Sequence, residues 1–408
     1  MNILLINHYA GSKEYGMEYR PYYLAREWVK QGHRVTIVGA TFSHLRLKNP
    51  KINEDYTSED IEGINYIWLK TPSYGGSIAR IKNMLVFLWK LYKYSKRLAE
   101  DVNPDIVIAS STYPLDNFPA YRIAKMSGAK YTYEIHDIWP LSPMLIGDYS
   151  KWHPFIMVMQ WGENYAYKHV DKVISLLWNA EEHCKEHGLQ DGKFACVPNG
   201  FAKDEWDDDV FHRNLPEEHE KAFKNLEGKL IVGFAGGFAA SGTIDALVEA
   251  ANLIKGHNII QVVLVGKGPE EQTYRNQIEK FGLRNVTILP PVPKSLVPAV
   301  NSHFDMAFIG GVHSILHKYG TSPNKVTDYM LAGKPIVQAI DEPGSVIEQL
   351  NCGIRVEAEN PKKIADAILK IASLSDSERE AMGERGRDYT RKNLEWGVLA
   401  DRFIKAFE

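Results

Sequence analysis

Short runs of aliphatic and β-branched residues recur along this chain with helical stretches between them, and that alternation is the tightest limit on its fold. Ile3–Ile6 leads through a polar loop into a helical stretch from Arg20 to Gln31, and Gly32-His33 turns the chain into the next run, Arg34–Val38. Further runs lie at Asn65–Leu69, Asp105–Ala109, Lys130–Ile135 and Lys172–Ser175. Runs this short, rich in Val, Ile and Tyr and bounded by polar or glycine-bearing turns, read as buried strands. Strands alternating with helices predict an α/β fold built on a parallel, doubly wound sheet with both faces covered.

The turn Val197-Pro198-Asn199-Gly200 breaks the rhythm, and the segment to about Gly228 is charged and poor in apolar residues, as an exposed connector would be. A second series follows: Leu230–Ala235 as a strand, Gly236-Gly237 as a loop, Thr243 to Ile254 as a helix, then strands at Gln261–Val265, Val286–Leu289 and Asp305–Ile309. From Pro361 onward the chain reads as helical, including Asp376 to Asn393 and Trp396 to Phe407. At 408 residues the chain exceeds one ordinary core, so two Rossmann-like halves are expected. In such sheets ligands bind outside the carboxyl ends of the strands.

Composition narrows the function. A net charge of −3 argues against a chain that coats nucleic acid. Three cysteines argue for a reducing compartment, and the N-terminus lacks the basic flank and cleavage site of a signal peptide, so a cytoplasmic location is expected. No run approaches the ~20 apolar residues of a membrane span. His183, Cys184, His187 and Cys196 do not follow an established zinc spacing, and Asp207-Asp208-Asp209 lies in the charged connector with no other ligand in view, so no metal is expected at either. No G-x-G-x-x-G follows a strand, which disfavours a nicotinamide enzyme.

The stretch Ser322-Pro323-Asn324-Lys325-Val326-Thr327-Asp328-Tyr329-Met330-Leu331-Ala332-Gly333-Lys334-Pro335 reads as a helix with both ends marked. Ser322 suits the N-cap, Pro323 the first helical position, and Gly333 the end. Lys325 is the odd residue, because a cation in the first turn opposes the helix dipole by about 0.3–1 kcal/mol. An anion bound at the free N–H groups of that end removes the conflict, and a diphosphate would suit. Asp328, one turn on, would accept hydrogen bonds from vicinal sugar hydroxyls. A surface helix with a scattered Lys and Asp accounts for the spacing as well.

The wording of that stretch resembles the donor-site helix of the retaining, GT-B-type glycosyltransferases of family four. The resemblance covers nearly the whole chain, with further matches in family order: the first loop from Asn7 to Arg20, Glu134-Ile135-His136-Asp137, Val197-Pro198-Asn199-Gly200 and Gly266-Lys267-Gly268-Pro269. Among the family it is most similar to bacterial transferases assigned to N-acetyl-L-fucosamine in O-antigen or capsule assembly. The resemblance implies the GT-B architecture, with two Rossmann-like domains facing a central cleft. Residues 1–198 would form the acceptor domain and 199–392 the donor domain, with a last helix of about 393–408 packed back on the first.

It also implies roles. Lys325 would neutralise the donor's diphosphate, Asp328 hold the ribose, and His136 bind the transferred sugar. Gly16, Gly236, Gly237, Gly266, Gly268, Val292, Ser322, Pro323 and Asn324 would line the donor site, while Arg20 and Asp137 would face the acceptor. For Arg20, a solvent-facing helix residue is an equal reading, and the glycine loops are also explained as tight turns. Two departures stand out. The loop cations of the family fall at Gly237 and Ser241, and the first of its two acids, eight residues apart, falls at Gly320.

Ile78 to Arg97 carries Arg80, Lys82, Lys90, Lys93, Lys96 and Arg97 and no acid, with Ile81, Leu85, Leu88, Trp89 and Tyr92 near helical spacing. It reads as an interface-lying helix on the anionic inner membrane, or equally as a core helix with a solvated basic face. The run Trp152, Phe155-Ile156-Met157-Val158-Met159, Trp161 could extend the same patch, but is expected in the core. The expected activity is therefore metal-independent transfer, with retention, of an N-acetylated or 6-deoxy hexose from a UDP-sugar to a lipid-linked saccharide, at the cytoplasmic face of the inner membrane, in bacterial surface polysaccharide synthesis. No cofactor is expected beyond the co-substrate. The alternatives are a nucleotide-sugar epimerase of the same fold and a non-catalytic binding subunit.

Overall fold

The computed structural model describes residues 1–17 and 19–408. The chain forms two compact units: Met1–Asn199 together with Trp396–Glu408, and Gly200–Glu395. The return to the first unit starts at Trp396, because residues as far as Asn393 complete the helix Asp376–Asn393 of the second.

The first unit holds β1 (Asn2–Ile6), β2 (Arg34–Ala40), β3 (Thr57–Ile61), β4 (Ile64–Leu69), β5 (Ile106–Ala109), β6 (Lys130–Ile135), β7 (Lys172–Ser175) and β8 (Phe194–Cys196). They form one sheet in the order β3-β4-β2-β1-β5-β6-β7-β8. All pairings are parallel except the β3–β4 hairpin at one edge. β1, β5 and the inner part of β6 are buried on both faces, and one core collects Leu4, Ile6, Val38, Val107, Ala109, Tyr133 and the helices laid over them. The helix Trp396–Lys405 belongs here. Trp396 stacks on Tyr23 of the helix Tyr19–Lys30, and Trp28 Nε1 donates to the Ala400 carbonyl at 3.0 Å.

The second unit holds β9 (Leu230–Gly237), β10 (Ile260–Lys267), β11 (Val286–Leu289), β12 (Met306–Gly310), β13 (Ile336–Ala339) and β14 (Gly353–Val356), in the order β11-β10-β9-β12-β13-β14 and parallel throughout. In each sheet the order of strands reverses beside the first strand of the series, between β1 and β5 and between β9 and β12. A crevice opens at such a reversal at the carboxyl ends of the strands, which is where a ligand-binding loop belongs.

Trp152 and Trp161 depart from the expected core position: they are 71% and 63% exposed, and Met157 and Val158 are also on the surface. The helix Pro154–His169 buries Ile156, Met159, Gly162, Glu163 and Ala166 instead. The helix Ser77–Lys93 divides its apolar residues between two faces. Met84, Phe87 and Leu91 are buried, while Ile78, Ile81, Leu85, Trp89 and Tyr92 are exposed. Among the described residues no helix is long and apolar enough to cross a membrane.

Candidate active site

In the second unit the site is built on the helix Asn324–Leu331. Pro323, with extended backbone, occupies the N-cap, so the helix starts one residue later than the Ser322 cap predicts, and no side chain caps it. At the other end Gly333, at φ 63°, closes the helix by donating to Met330 O at 2.9 Å. Tyr329, buried on the inner face, accepts a hydrogen bond from Ala235 N at 3.1 Å and so ties the helix to β9.

Lys325 lies across the end of β9. Its Nζ sits 4.9 Å from the centre of the Phe234 ring, and its Cε rests where a Cβ on Gly236 would be. Gly236 is therefore required for the lysine to lie as it does. Among the described residues Lys325 pairs with no carboxylate, and burial lowers its pKa against the attraction of Asp328. Asp328 is recessed, and no hydrogen-bond donor among the described residues reaches its carboxylate. Burial pushes its carboxyl up to about 7, opposed by Lys294 and Lys325. Among the described residues, then, a cation lacking an anion stands one turn from an acid lacking donors.

The remaining predicted donor residues fall on the loops around this helix. Gly266 and Gly268 have a packing reason to be glycine, since a Cβ would strike the backbone of Gly236 and of Phe238 respectively. Gly237 faces open space, so a side chain there would be accommodated. Val292 is half-buried in the loop after β11, and Ser322, Pro323 and Asn324 lead into the helix.

The departure at Gly320 has a backbone cause. Its φ and ψ of 96° and 163° lie in a region that only glycine enters without strain. An acid at this position does not fit the loop. The loop is fixed from the loop after β13: the Glu342 carboxylate accepts from Thr321 N at 2.8 Å, Thr321 Oγ at 2.6 Å and Gln338 Nε2 at 2.9 Å. Neither Glu342 nor this clamp was foreseen, and no local sequence signal marks it.

In the first unit His136 follows β6. Its Nε2 lies 3.0 Å from Ser110 Oγ and 3.2 Å from Glu134 Oε2, and Ser110 Oγ donates to the same carboxylate oxygen at 2.6 Å. Glu134 is fully buried. Burial alone would hinder its ionisation, but the Arg20 charge and the bonds from His136 and Ser110 prevail and hold its carboxyl at about 2. Arg20 is buried rather than solvent-facing. It pairs with Glu134 at 2.9 Å and donates to the Val197 and Pro198 carbonyls, both at 2.8 Å. The acceptor role expected for it would have to act through Glu134 and His136.

Two other expected contacts are already engaged. Asp137 Oδ1 accepts from Ile138 N at 2.9 Å and Ser142 Oγ at 2.5 Å, which caps the segment after β6. Gly16, at φ 84°, donates its N–H to Ser12 O at 2.8 Å, so what it permits is the turn itself. The Asp207–Asp209 run is accounted for within the second unit: Asp207 accepts from Val210 N, and Asp208 pairs with Arg391 at 2.6 Å.

Comparison with known proteins follows the same division. Residues 15–200 match the family model of the glycosyl transferase 4-like domain, and residues 216–389 that of the glycosyl transferases group 1. No curated protein sequence matches the chain. Among solved structures it is similar to HepE from Anabaena in complex with UDP and glucose, at 14% identity and a TM-score of 0.65, over 99% of this chain and 98% of that one. A sucrose-phosphate synthase from Thermosynechococcus elongatus is similar at 14% identity and 0.68, over 99% and 98%. A glycosyltransferase from Rickettsia africae is similar at 16% and 0.67, over 99% and 97%.

Proposed function

The chain belongs to the glycosyltransferases of GT-B fold, and from that premise we propose that it moves a hexose, N-acetylated or 6-deoxy, from a UDP-sugar to a lipid-linked saccharide with retention at the anomeric carbon. The observation that carries this reading is Lys325, which pairs with no carboxylate among the described residues, beside Asp328, whose carboxylate no described donor reaches, at the start of one helix. The lysine and the free N–H groups suit a diphosphate, and the carboxylate suits ribose hydroxyls. HepE in complex with UDP supports the choice of nucleotide.

The chemistry is positional and electrostatic, and it asks no metal of the donor site. The bond from the anomeric carbon to the diphosphate breaks, and the electron pair leaves on the phosphate, where Lys325 stabilises it. The acceptor hydroxyl adds to the same face, and its proton passes to the departing phosphate. His136, held by Glu134 and Ser110, orients the sugar. Gly320 leaves the sugar without the acid that the family carries at that place, which favours a donor with fewer hydroxyls to satisfy.

A lipid-linked acceptor fits the surface of the first unit. Ile78, Ile81, Leu85, Trp89 and Tyr92 face solvent beside Arg80, Lys82 and Lys93, as an element lying in an anionic lipid interface requires. This surface would hold the enzyme at the cytoplasmic face of the inner membrane, in the assembly of a bacterial surface polysaccharide.

The test is incubation with a panel of UDP-sugars and bacterial lipid extract, reading UDP release, transfer of label to the lipid phase and the anomeric configuration of the product. Transfer with retention is expected. An epimerised nucleotide sugar without UDP release would assign the chain to the epimerases. Nucleotide binding with neither product would assign it to binding subunits.

A further inference from the structure

Away from the donor helix and His136, a second polar cluster is buried between two helices of the first unit. Glu163 comes from the helix Pro154–His169, His183 from the helix Glu181–Glu186, and His187 from that helix's C-cap. The two histidines are four residues apart, so they share one helix face, and their ring centres are 4.5 Å apart. The ligand atoms of all three residues lie within 4.8 Å of one another. Glu163 and His183 are buried and His187 is half-buried.

Among the described residues, one donor is shared at the half-buried edge of the cluster. Three acceptors converge on the single amide nitrogen of Gln160: Glu163 Oε2 at 2.6 Å, Asn164 Oδ1 at 2.8 Å and His187 Nδ1 at 3.3 Å. One NH2 group carries two hydrogens, so these acceptors cannot all be satisfied by it. The other Glu163 oxygen faces His183 Nε2 at 2.9 Å and accepts from Tyr167 OH at 2.9 Å. A cation placed among Glu163, His183 and His187 would supply the missing positive charge. Tyr167 would then orient the ligating carboxylate from outside, as second-sphere partners do.

We propose that Glu163, His183 and His187 form a binding site for one divalent cation of the Zn2+ class, clipping the helix Glu181–Glu186 to the helix Pro154–His169. Two imidazoles and one carboxylate are a borderline donor set, suited to Zn2+, Co2+ or Ni2+ and poorly suited to Mg2+ or Ca2+. Bonds of about 2.0–2.2 Å place tetrahedral ligand atoms about 3.4 Å apart. Side-chain rotations that close the cluster from its 4.8 Å limit would bring it to that spacing. The fourth position falls to water or to the Gln160 amide oxygen after a flip. The role of the ion is structural, since a helix of six residues has little stability of its own.

The site is tested on the full chain without a histidine tag, by equilibrium dialysis against Zn2+, Co2+ and Mg2+ with metal analysis and a melting curve for each. One Zn2+ per chain is expected, not displaced by excess Mg2+, with a raised melting temperature and Co2+ absorption typical of a four-coordinate N/O site. His183→Ala and His187→Ala should each weaken Zn2+ binding by at least about a hundredfold, and Tyr167→Phe by about 10–100-fold. If the alanine variants do not fold, Tyr167→Phe and Glu163→Gln carry the comparison. The absence of stoichiometric Zn2+ binding by the wild type would overturn the proposal, as would unchanged affinity in the variants. UDP binding is read separately, so failure here leaves the donor site untouched.

Discussion

In the proposed donor site, Asp328 would couple donor binding to pH. Its carboxyl is raised from the usual carboxylate range to about 7 by burial, and ribose hydroxyls donate best to the ionised form. UDP affinity should therefore fall as pH drops from about 8 to 6, by at most about tenfold per unit, in titrations by calorimetry. Asp328→Asn should bind weakly at both ends and lose the pH dependence; an unaltered profile would remove Asp328 from the donor site. Because the folded pKa is raised, the same group favours the folded state below about pH 4 and loses that contribution as pH rises through about 7. Glu134 has the opposite sign. Its depressed carboxyl stabilises the fold above its ordinary value of 4.5, and the contribution is lost as pH falls toward 2. Glu134→Ala leaves the buried Arg20 unpaired and should cost about 3–5 kcal/mol in urea denaturation. A cost within about 1 kcal/mol would mean that the pair is not coupled to folding. The pairing of Lys325 with Asp328 was readable because neighbouring turns of one helix carry them. The Arg20–Glu134 pair was not, because 114 positions separate its members.

At the scale of the element, the loop before the donor helix and the two surface helices each make a prediction. The missing acid at position 320 was visible in the sequence, but its cause is a backbone angle, which no residue type announces. Gly320→Glu should destabilise the second unit by about 1–3 kcal/mol and bring no gain in donor affinity; tighter binding of UDP-sugars would show that the loop accepts the acid. The stretch Ile78–Arg97 was read as one amphipathic basic element; it divides at Tyr94 into the helices Ser77–Lys93 and Ser95–Val102, and periodicity alone could not say which stripe faces the core. Met84, Phe87 and Leu91 do, which leaves Trp89 outside. Trp152 and Trp161 were misplaced because an apolar run gives no sign of which neighbours cover it. Trp89→Glu and Trp161→Glu should each weaken binding to anionic vesicles in flotation assays while leaving melting temperature within a few degrees. Equal flotation by the double variant would rule out this lipid surface.

For the whole molecule, alternation of strand and helix was enough to expect two parallel sheets. It did not foresee β3, β8, β13 or β14. β3 is Thr57–Ile61, a polar edge hairpin exposed along much of its length, and β8 and β14 are short edge strands without a fully buried face. Edge strands lack the apolar signal that marks central ones. The Glu163–His183–His187 cluster was missed for a related reason. The spacing of His183 and His187 is local, but their third partner lies on another helix. The proposed activity rests on the helix Asn324–Leu331 holding a nucleoside diphosphate, and thermal unfolding with UDP, GDP and dTDP tests this directly on the wild type, Lys325→Ala and Asp328→Ala. UDP at about 100 times its dissociation constant adds about 2.7 kcal/mol, which is a rise of a few degrees for a chain of this size. That rise is expected with UDP in the wild type, together with its loss in both variants. No rise with any of the three nucleotides, or an undiminished rise in the variants, would contradict the donor-helix reading.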